Sequence, residues 1–496
     1  MLMASECHAD WRIVPTLSLT ERYTDNVRFE SDELKQSQFI TELTPGIGVF
    51  GKGRRFELSG NANWRHFDFR NEALRDKLDH SFEYAVGGNA ILIDDLLMVD
   101  ASATSGPQGI SAFGPQPESA PYLAANRAKI ETWRISPRLE HRFGQQATAQ
   151  VRYTRDSVKS DDVRGFGNSN ADNIAASLSS GSAFATLGWG LSYQRQDLKD
   201  SINGESSSET AVLNLRYALT KHFSLIADAG YDRYDFEGPG GGSAGRNWSV
   251  GFDWTPSTRT HTKLALGRHF YGQTGLFLLS HRSRRTTWNI SYNDAITTSR
   301  SQFLLPATFD TAALLDGLFT PTFPDPELRR QAVAAYIRNN GLPSSLDDSI
   351  NFLSNRYVRQ KSLQASMGFK TARLTTTASL FGNNRLALSS QQSDSALLGP
   401  QDANLNDNVR QRGATLGTEY RINSRSSAQA SATWTRSRSI SGNLEDLRRD
   451  FRIGLARQLG RHARAALELR RSAGSIGFSA GPYHEHAISA TLSAEL

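Results

Sequence analysis

Between Asn247 and Phe270 the chain reads NWSVGFDWTPSTRTHTKLALGRHF, and Trp248, Val250, Phe252 and Trp254 alternate with Asn247, Ser249, Gly251 and Asp253. Successive side chains of a strand point to opposite faces, so the stretch predicts a strand with one aromatic and one polar face. The same period of two recurs in RFELSGNANWRHF (55–67), QATAQVRYTRD (146–156), FATLGWGLSYQRQ (184–196) and TAVLNLRYAL (210–219). It continues in FSLIADAGYD (223–232), RTTWNISYN (285–293), ATLGTEYRI (414–422) and SAQASATWTR (427–436). Large residues on the apolar parity, namely Trp64, Trp189, Tyr193, Trp248, Phe252, Trp254, Trp288 and Trp434, are expected to face lipid, with the aromatics gathered in interfacial girdles. The opposite parity carries Arg65, Arg152, Arg216, Asp253, Arg285 and Glu419, which are expected to line a wet lumen.

Short connections such as GKGR (51–54), DD (94–95), TKH (220–222), RSR (282–284) and NSR (423–425) alternate with long polar segments. The long ones include 22–37, 105–128, 157–171, 294–354 and 384–408. That rhythm is the one an antiparallel up-and-down barrel needs, with tight periplasmic turns and long outer loops; a Greek-key sandwich would not keep it. The pattern therefore predicts an all-β transmembrane barrel of about 22 strands, with 18–22 as the range. One segment leaves the β pattern: DPELRRQAVAAYIRNNG (325–341) has Pro early, Glu in the first turn and Gly after the end. It predicts a short helix at 326–340 inside loop 294–354, folded into the lumen as a constriction or lying outside as a cap.

The two ends of the chain add to this picture. In HAISATLSAEL, Ile488, Ala490, Leu492, Ala494 and Leu496 share one face, as in the final strand read by the barrel assembly machinery, although Leu stands where Phe is usual. The first nine residues, MLMASECHA, read as the remnant of a secretory signal cut after Ala9, leaving residues 10–496 as one barrel domain.

Composition narrows the classes that remain. The 496 residues are 38% hydrophobic with a mean hydropathy of −0.47, and no apolar stretch approaches the roughly 20 residues of a spanning helix. Eight Trp, 14 Tyr and 25 Phe spread along the chain argue against disorder. Cys7, the single cysteine, falls in the signal remnant, so thiol chemistry and disulfides drop out. The formal charge of +6 comes from arginines scattered singly, without a nucleic-acid recognition motif, and no nucleic-acid partner is expected.

Candidate chemistry is sparse. YHEH (483–486) places two histidines on one face of a strand, and SHRSRRTTW (280–288) is the densest basic run, suited to lipid phosphates or a periplasmic partner. GPGGGSAG (238–245) lacks the Lys-Ser/Thr ending of a phosphate loop. No nucleophile with a base emerges, so the reading is a non-enzyme without metal or cofactor. A TonB-dependent receptor is disfavoured, because roughly 22 residues per strand with its connection leave none for a separate plug domain.

The stretch WRIVPTLSLTERYTDNV (11–27) resembles the first strand of bacterial outer-membrane barrels of the β-barrel porin type. RNWSVGFDWTPSTRTHTKLALGRHFYG (246–272) and LSHRSRRTTWNISYNDAITTSRSQ (279–302) resemble the outer-membrane family associated with PEP-CTERM/exosortase systems. That resemblance implies an integral protein of the Gram-negative outer membrane, encoded with exosortase and exopolysaccharide genes. The resemblance supplies place and context rather than mechanism; combined with the barrel pattern, it leads to the expectation of an outer-membrane channel or secretion-associated barrel for exopolysaccharide or PEP-CTERM protein export. The alternative is a loop-closed structural barrel that anchors surface polymer or export-machinery partners. The partners expected are outer-membrane lipid and lipopolysaccharide, the barrel assembly machinery, and exopolysaccharide or export components.

Overall fold

A computed structural model describes residues 10–71, 77–117, 119–161, 166–201, 204–236, 243–304, 352–353, 357–388, 408–475 and 481–496. The first strands are β1 Asp10–Thr24, β2 Gln38–Lys52, β3 Phe56–Phe69, β4 His80–Ile93, β5 Leu97–Gly109 and β6 Arg127–Phe143. Next come β7 Ala147–Ser160, β8 Ser169–Ser180, β9 Leu187–Asp200, β10 Gly204–Ala218, β11 Phe223–Phe236 and β12 Ser243–Ser257. Then follow β13 Thr260–His269, β14 Gly272–Arg282, β15 Thr286–Thr297, β16 Val358–Lys370 and β17 Leu374–Ala387. The last are β18 Val409–Arg421, β19 Ser426–Ser439, β20 Glu445–Gln458, β21 Ala463–Ser475 and β22 Pro482–Glu495.

Each strand pairs antiparallel with its neighbours in sequence, and β1 pairs with both β2 and β22, so the sheet closes on itself without an edge. The chain is a transmembrane up-and-down barrel of 22 strands. Its outer surface is a continuous apolar belt, in which Val250, Leu416 and Ile453 are 54%, 50% and 64% exposed. Trp248, Val250, Phe252 and Trp254 on β12 lie beside Arg268, Leu266, Leu264 and Thr262 on β13, and the belt runs on through register of this kind. A soluble sandwich would cover such a surface; in a barrel it meets hydrocarbon.

About 10 tilted residues cross the apolar band of a bilayer. Most strands here are longer, up to the 17 residues of β6, and their buried residues gather at the end away from the chain termini. This end is called the loop end below and the opposite one the turn end.

Several expectations change in detail. Strands reach into segments expected to be loops: β15 continues to Thr297, past the expected loop start at 294. Ala185 is not part of a strand, because Gly181 and Ala183 donate to Gln146 O and Gln145 O and wind a 3₁₀ turn over Ser182–Phe184 before β9 begins. The loop end is not uniformly long either, since only Phe270 and Tyr271 join β13 to β14. The helix expected at 326–340 lies outside the described residues, as do residues 1–9; the described helix of that loop is α1, Ser299–Leu304.

Candidate functional site

The burial pattern singles out the loop end. Fully buried residues of a wide barrel should be few, yet Val27, Tyr122, Phe113, Phe352, Val158 and Glu485 are all 2% exposed or less. They are buried because loops fold inward over the lumen.

The segment 110–126 joins β5 to β6 and reads ISAFGPQPESAPYLAAN. Asn126, at φ +54°, gathers its two ends: its amide donates to Ser111 O (3.0 Å) and Pro115 O (3.1 Å) and its Oδ1 accepts from Ser111 N (2.7 Å). Gly114 supplies the turn at φ +115°, a value that disfavours a side chain. The loop thus made reaches the wall at β20–β22. Gly114 N donates to Asp446 Oδ2 on β20 (3.2 Å), and Arg470 on β21 donates to Ser119 O (2.8 Å). Tyr122 and Leu123 pack with Val27, Phe29, Phe67, Phe69 and Tyr483. Burial holds the Tyr122 phenol above its ordinary pKa, which keeps it neutral.

A second segment approaches from the facing wall. After β15, Arg300 on α1 forms an ion pair with Asp156 on β7 and donates to Ser169 Oγ on β8 (2.8 Å). Arg134 on β6 donates to Leu304 O (3.1 Å), and Arg385 on β17 holds Ser299 Oγ (2.8 Å) and Phe352 O (3.3 Å). The two segments meet: Phe113 and Ala112 share one apolar cluster with Phe352 and Val409, and Ile110, Phe303 and Leu304 pack against a second that holds Leu353, Val158 and Phe166. Below this roof, Gln194, Gln196, Ser208, Thr210, Tyr234 and Tyr357 line a recess of about 180 Å³ whose surface offers amides, hydroxyls and phenols.

No family model and no curated protein matches the chain. Among solved structures, the FrpB iron transporter of Neisseria meningitidis (F5-1 variant, apoprotein form) aligns over 97% of this chain and 81% of its own, at 11% identity and a TM-score of 0.52. The siderophore receptor PirA of Pseudomonas aeruginosa aligns over 97% and 80%, at 9% identity and a TM-score of 0.44. A mutant of the ferric enterobactin receptor PfeA from the same organism, in complex with enterobactin, aligns over 98% and 81%, at 11% identity and a TM-score of 0.47. The FrpB likeness shows a shared barrel fold.

The residues singled out by sequence distribute as follows. Arg65, Arg152, Arg216, Asp253 and Glu419 sit on the lumen parity of the wall. Arg65 lies 3.8 Å from both Glu42 and Glu83, Arg152 4.0 Å from Asp100, and Asp253 3.1 Å from His261. Two of these arginines thus stand beside carboxylates, and the lumen wall carries both signs of charge. Arg285 is not on the lumen wall: Ser283 N bonds Thr286 O and closes a turn, which leaves Arg285 exposed on the turn-end rim. Trp64, Tyr193, Trp248, Trp254, Trp288 and Trp434 face outward and are 37–51% exposed. Trp189 shares their face and meets Phe184, and Phe252 stacks on Phe223 at 5.6 Å. Ile488, Ala490, Leu492 and Ala494 continue the outer belt on β22, with Leu496 at its end.

In YHEH the histidines face outward, while Tyr483 and the glutamate between the histidines are buried; sequence reasoning passed over that Glu485. Among the described residues no group of three or more His, Cys, Asp and Glu could hold a metal ion. The inward fold of 110–126 was also missed. Its signal was present: Phe113, Tyr122 and Leu123 make this loop more apolar than a solvated outer loop.

Proposed function

We propose that the protein is a channel of the Gram-negative outer membrane with a loop-gated outer mouth, serving export of exopolysaccharide or PEP-CTERM proteins. The observation that carries this reading is the meeting of Phe113 and Phe352 above a hydrated, mixed-charge wall. A lumen lined with arginines and carboxylates is built for water, and a roof of side-chain pins rather than a covalent or strand-built plug can open. The amide and hydroxyl recess under the roof supports a hydroxyl-rich cargo. The export context comes from the resemblance of 246–272 and 279–302. FrpB is named an iron transporter, and at 11% identity its cargo has no bearing on the cargo here.

A second reading, a permanently closed barrel that anchors surface polymer or export partners, is favoured by the number of buried polar pins, including Arg300–Asp156 and Arg470–Glu485. Single-channel conductance in a planar bilayer separates the two. The intact protein is compared with one whose residues 111–125 are replaced by a Gly-Ser linker. Current in either protein supports the channel. Silence in both, from protein with heat-modifiable gel mobility, overturns it and leaves the anchor.

A further inference from the structure

The basic run at 280–288 belongs to a larger feature at the turn end. Six turns in succession join β10 to β11, β12 to β13, β14 to β15, β16 to β17, β18 to β19 and β20 to β21. Each carries an exposed Lys or Arg: Lys221, Arg259, Arg284, Arg373, Arg425 and Arg461. None of these turns contains Asp or Glu, and none of the six cations forms an ion pair among the described residues. The arc covers twelve of the 22 strands, β10 to β21, and stops at β22, where Glu495 follows.

The remaining turns differ. Between β2 and β3 stand Arg54 and Arg55, and between β4 and β5 stand Asp94 and Asp95, with Arg55 paired to Asp94 (2.5 Å), so two cations there meet two carboxylates. Residues 144–146 and Ser182–Phe184 carry no charge at all. The turns therefore carry a net positive charge on one side of the barrel and a balanced one on the other.

The arc also has a hollow among its first three turns. His222, Arg259, His261, His281 and Arg282 line a cavity of about 390 Å³, together with Ser and Thr hydroxyls. His261 is held by Asp253 (3.1 Å) and His281 by Thr260 (2.8 Å), which leaves the guanidiniums of Arg259 and Arg282 as the groups to grip a carboxylate there.

We infer that this arc docks a carboxylate-rich segment of a partner protein on the turn-end side of the membrane. Lipid is the obvious competitor for such cations, and the distribution argues against it. A bilayer surrounds a barrel on every side, so cations serving its phosphates would recur around the whole rim. The outward indoles of Trp254 and Trp288 mark the interface, and Arg259 and Arg284 lie four to five residues beyond them, in water. A cationic half-rim that projects into water complements a discrete acidic surface and steers its approach.

The test uses the full chain refolded into neutral phosphatidylcholine nanodiscs and a fluorescein-labelled octaglutamate peptide as the probe. Anisotropy titrations are run across a salt series for the wild type, for Arg259→Glu/Arg284→Glu/Arg373→Glu, and for Arg54→Glu/Arg55→Glu on the opposite side. The expected result is salt-sensitive binding, weakened roughly tenfold or more by the arc variant and little changed by the opposite one. Binding should persist in discs containing phosphatidylglycerol. Absence of binding by the wild type, or equal loss in both variants, overturns the inference. Loss of peptide binding in the phosphatidylglycerol discs overturns it in favour of a lipid anchor. Heat-modifiable mobility of each variant confirms that it is folded, and the outcome does not depend on whether the barrel conducts.

Discussion

Arg470 on β21 grips Glu485 on β22 with two parallel bonds, Nη2 to Oε1 at 2.5 Å and Nε to Oε2 at 3.1 Å, and both side chains are almost wholly buried. Thr24 on β1 donates to the same carboxylate (2.8 Å), and the remaining arginine nitrogen holds Ser119 O of the inward loop. One charge pair therefore ties the seam where the barrel closes to the roof over its mouth.

Arg470→Ala would leave Glu485 buried without its counter-ion and Ser119 O without its donor. Breaking a buried pair from one side costs about 3–5 kcal/mol. The midpoint of urea unfolding should fall accordingly, and a channel held shut by loop 110–126 should show longer or more frequent openings. Arg470→Lys keeps the charge but loses the fork, and should fall between wild type and Ala. Unchanged stability in Arg470→Ala would mean that the pair does not hold the loop.

Phe113→Ala tests the contact between the two inward segments without touching any charge. Removing a buried aromatic costs about 3–5 kcal/mol when it sits in a global core. Here the loss should be confined to the roof. The barrel should keep its unfolding midpoint, while protease cleavage within 110–126 accelerates. A drop in global stability with no change in cleavage would show that the roof and the wall unfold as one unit.

The alternation that fixes the wall also fixes its tolerance. Val250 lies at the middle of β12 on the lipid face, and its neighbour Ser249 faces the lumen, where its hydroxyl donates to Asp228 (2.6 Å). Val250→Arg should destabilise the barrel by about 2–4 kcal/mol in vesicles. Ser249→Ala should cost about 1 kcal/mol, the loss of one hydrogen bond. Equal costs for the two would contradict the assignment of faces.

What could be read from the chain follows from the range of each signal. A strand shows its two faces in a period of two, so the wall, the strand number and the sides taken by Arg65, Trp64 and Trp248 are visible in ten-residue windows. The apolar residues of 110–126 signal that this loop is buried, but its partners are distant, Phe352 for Phe113 and Arg470 for Ser119, and no local pattern names them. The same limit explains YHEH. Parity correctly separates Glu485 from the histidines, but only the folded loops make that position dry rather than wet. Arg285 was assigned by parity one residue beyond the strand, where parity no longer constrains the side chain.

The weakest ladder in the wall offers the last prediction. β14 and β15 pair over seven positions only, from Leu276↔Asn293 to Arg282↔Thr287. Above them, residues 272–275 and 294–297 pair with their outer neighbours but not with each other. Arg359 on β16 spans the gap, bonding Tyr271 O (3.3 Å), Gln273 O (2.5 Å) and both oxygens of Asp294 (2.8 Å each). A side chain thus replaces the missing backbone bonds, and Arg359→Ala should free them. Hydrogen exchange at residues 272–275 and 294–297 should accelerate, with the rest of the wall unaffected. Extending the register places Thr274 opposite Ala295, so a disulfide between cysteines at these two positions should restore protection in the Arg359→Ala background. If exchange at the gap is the same with and without Arg359, the seam is held by something other than this side chain. If the disulfide fails to form, the register does not continue past Leu276.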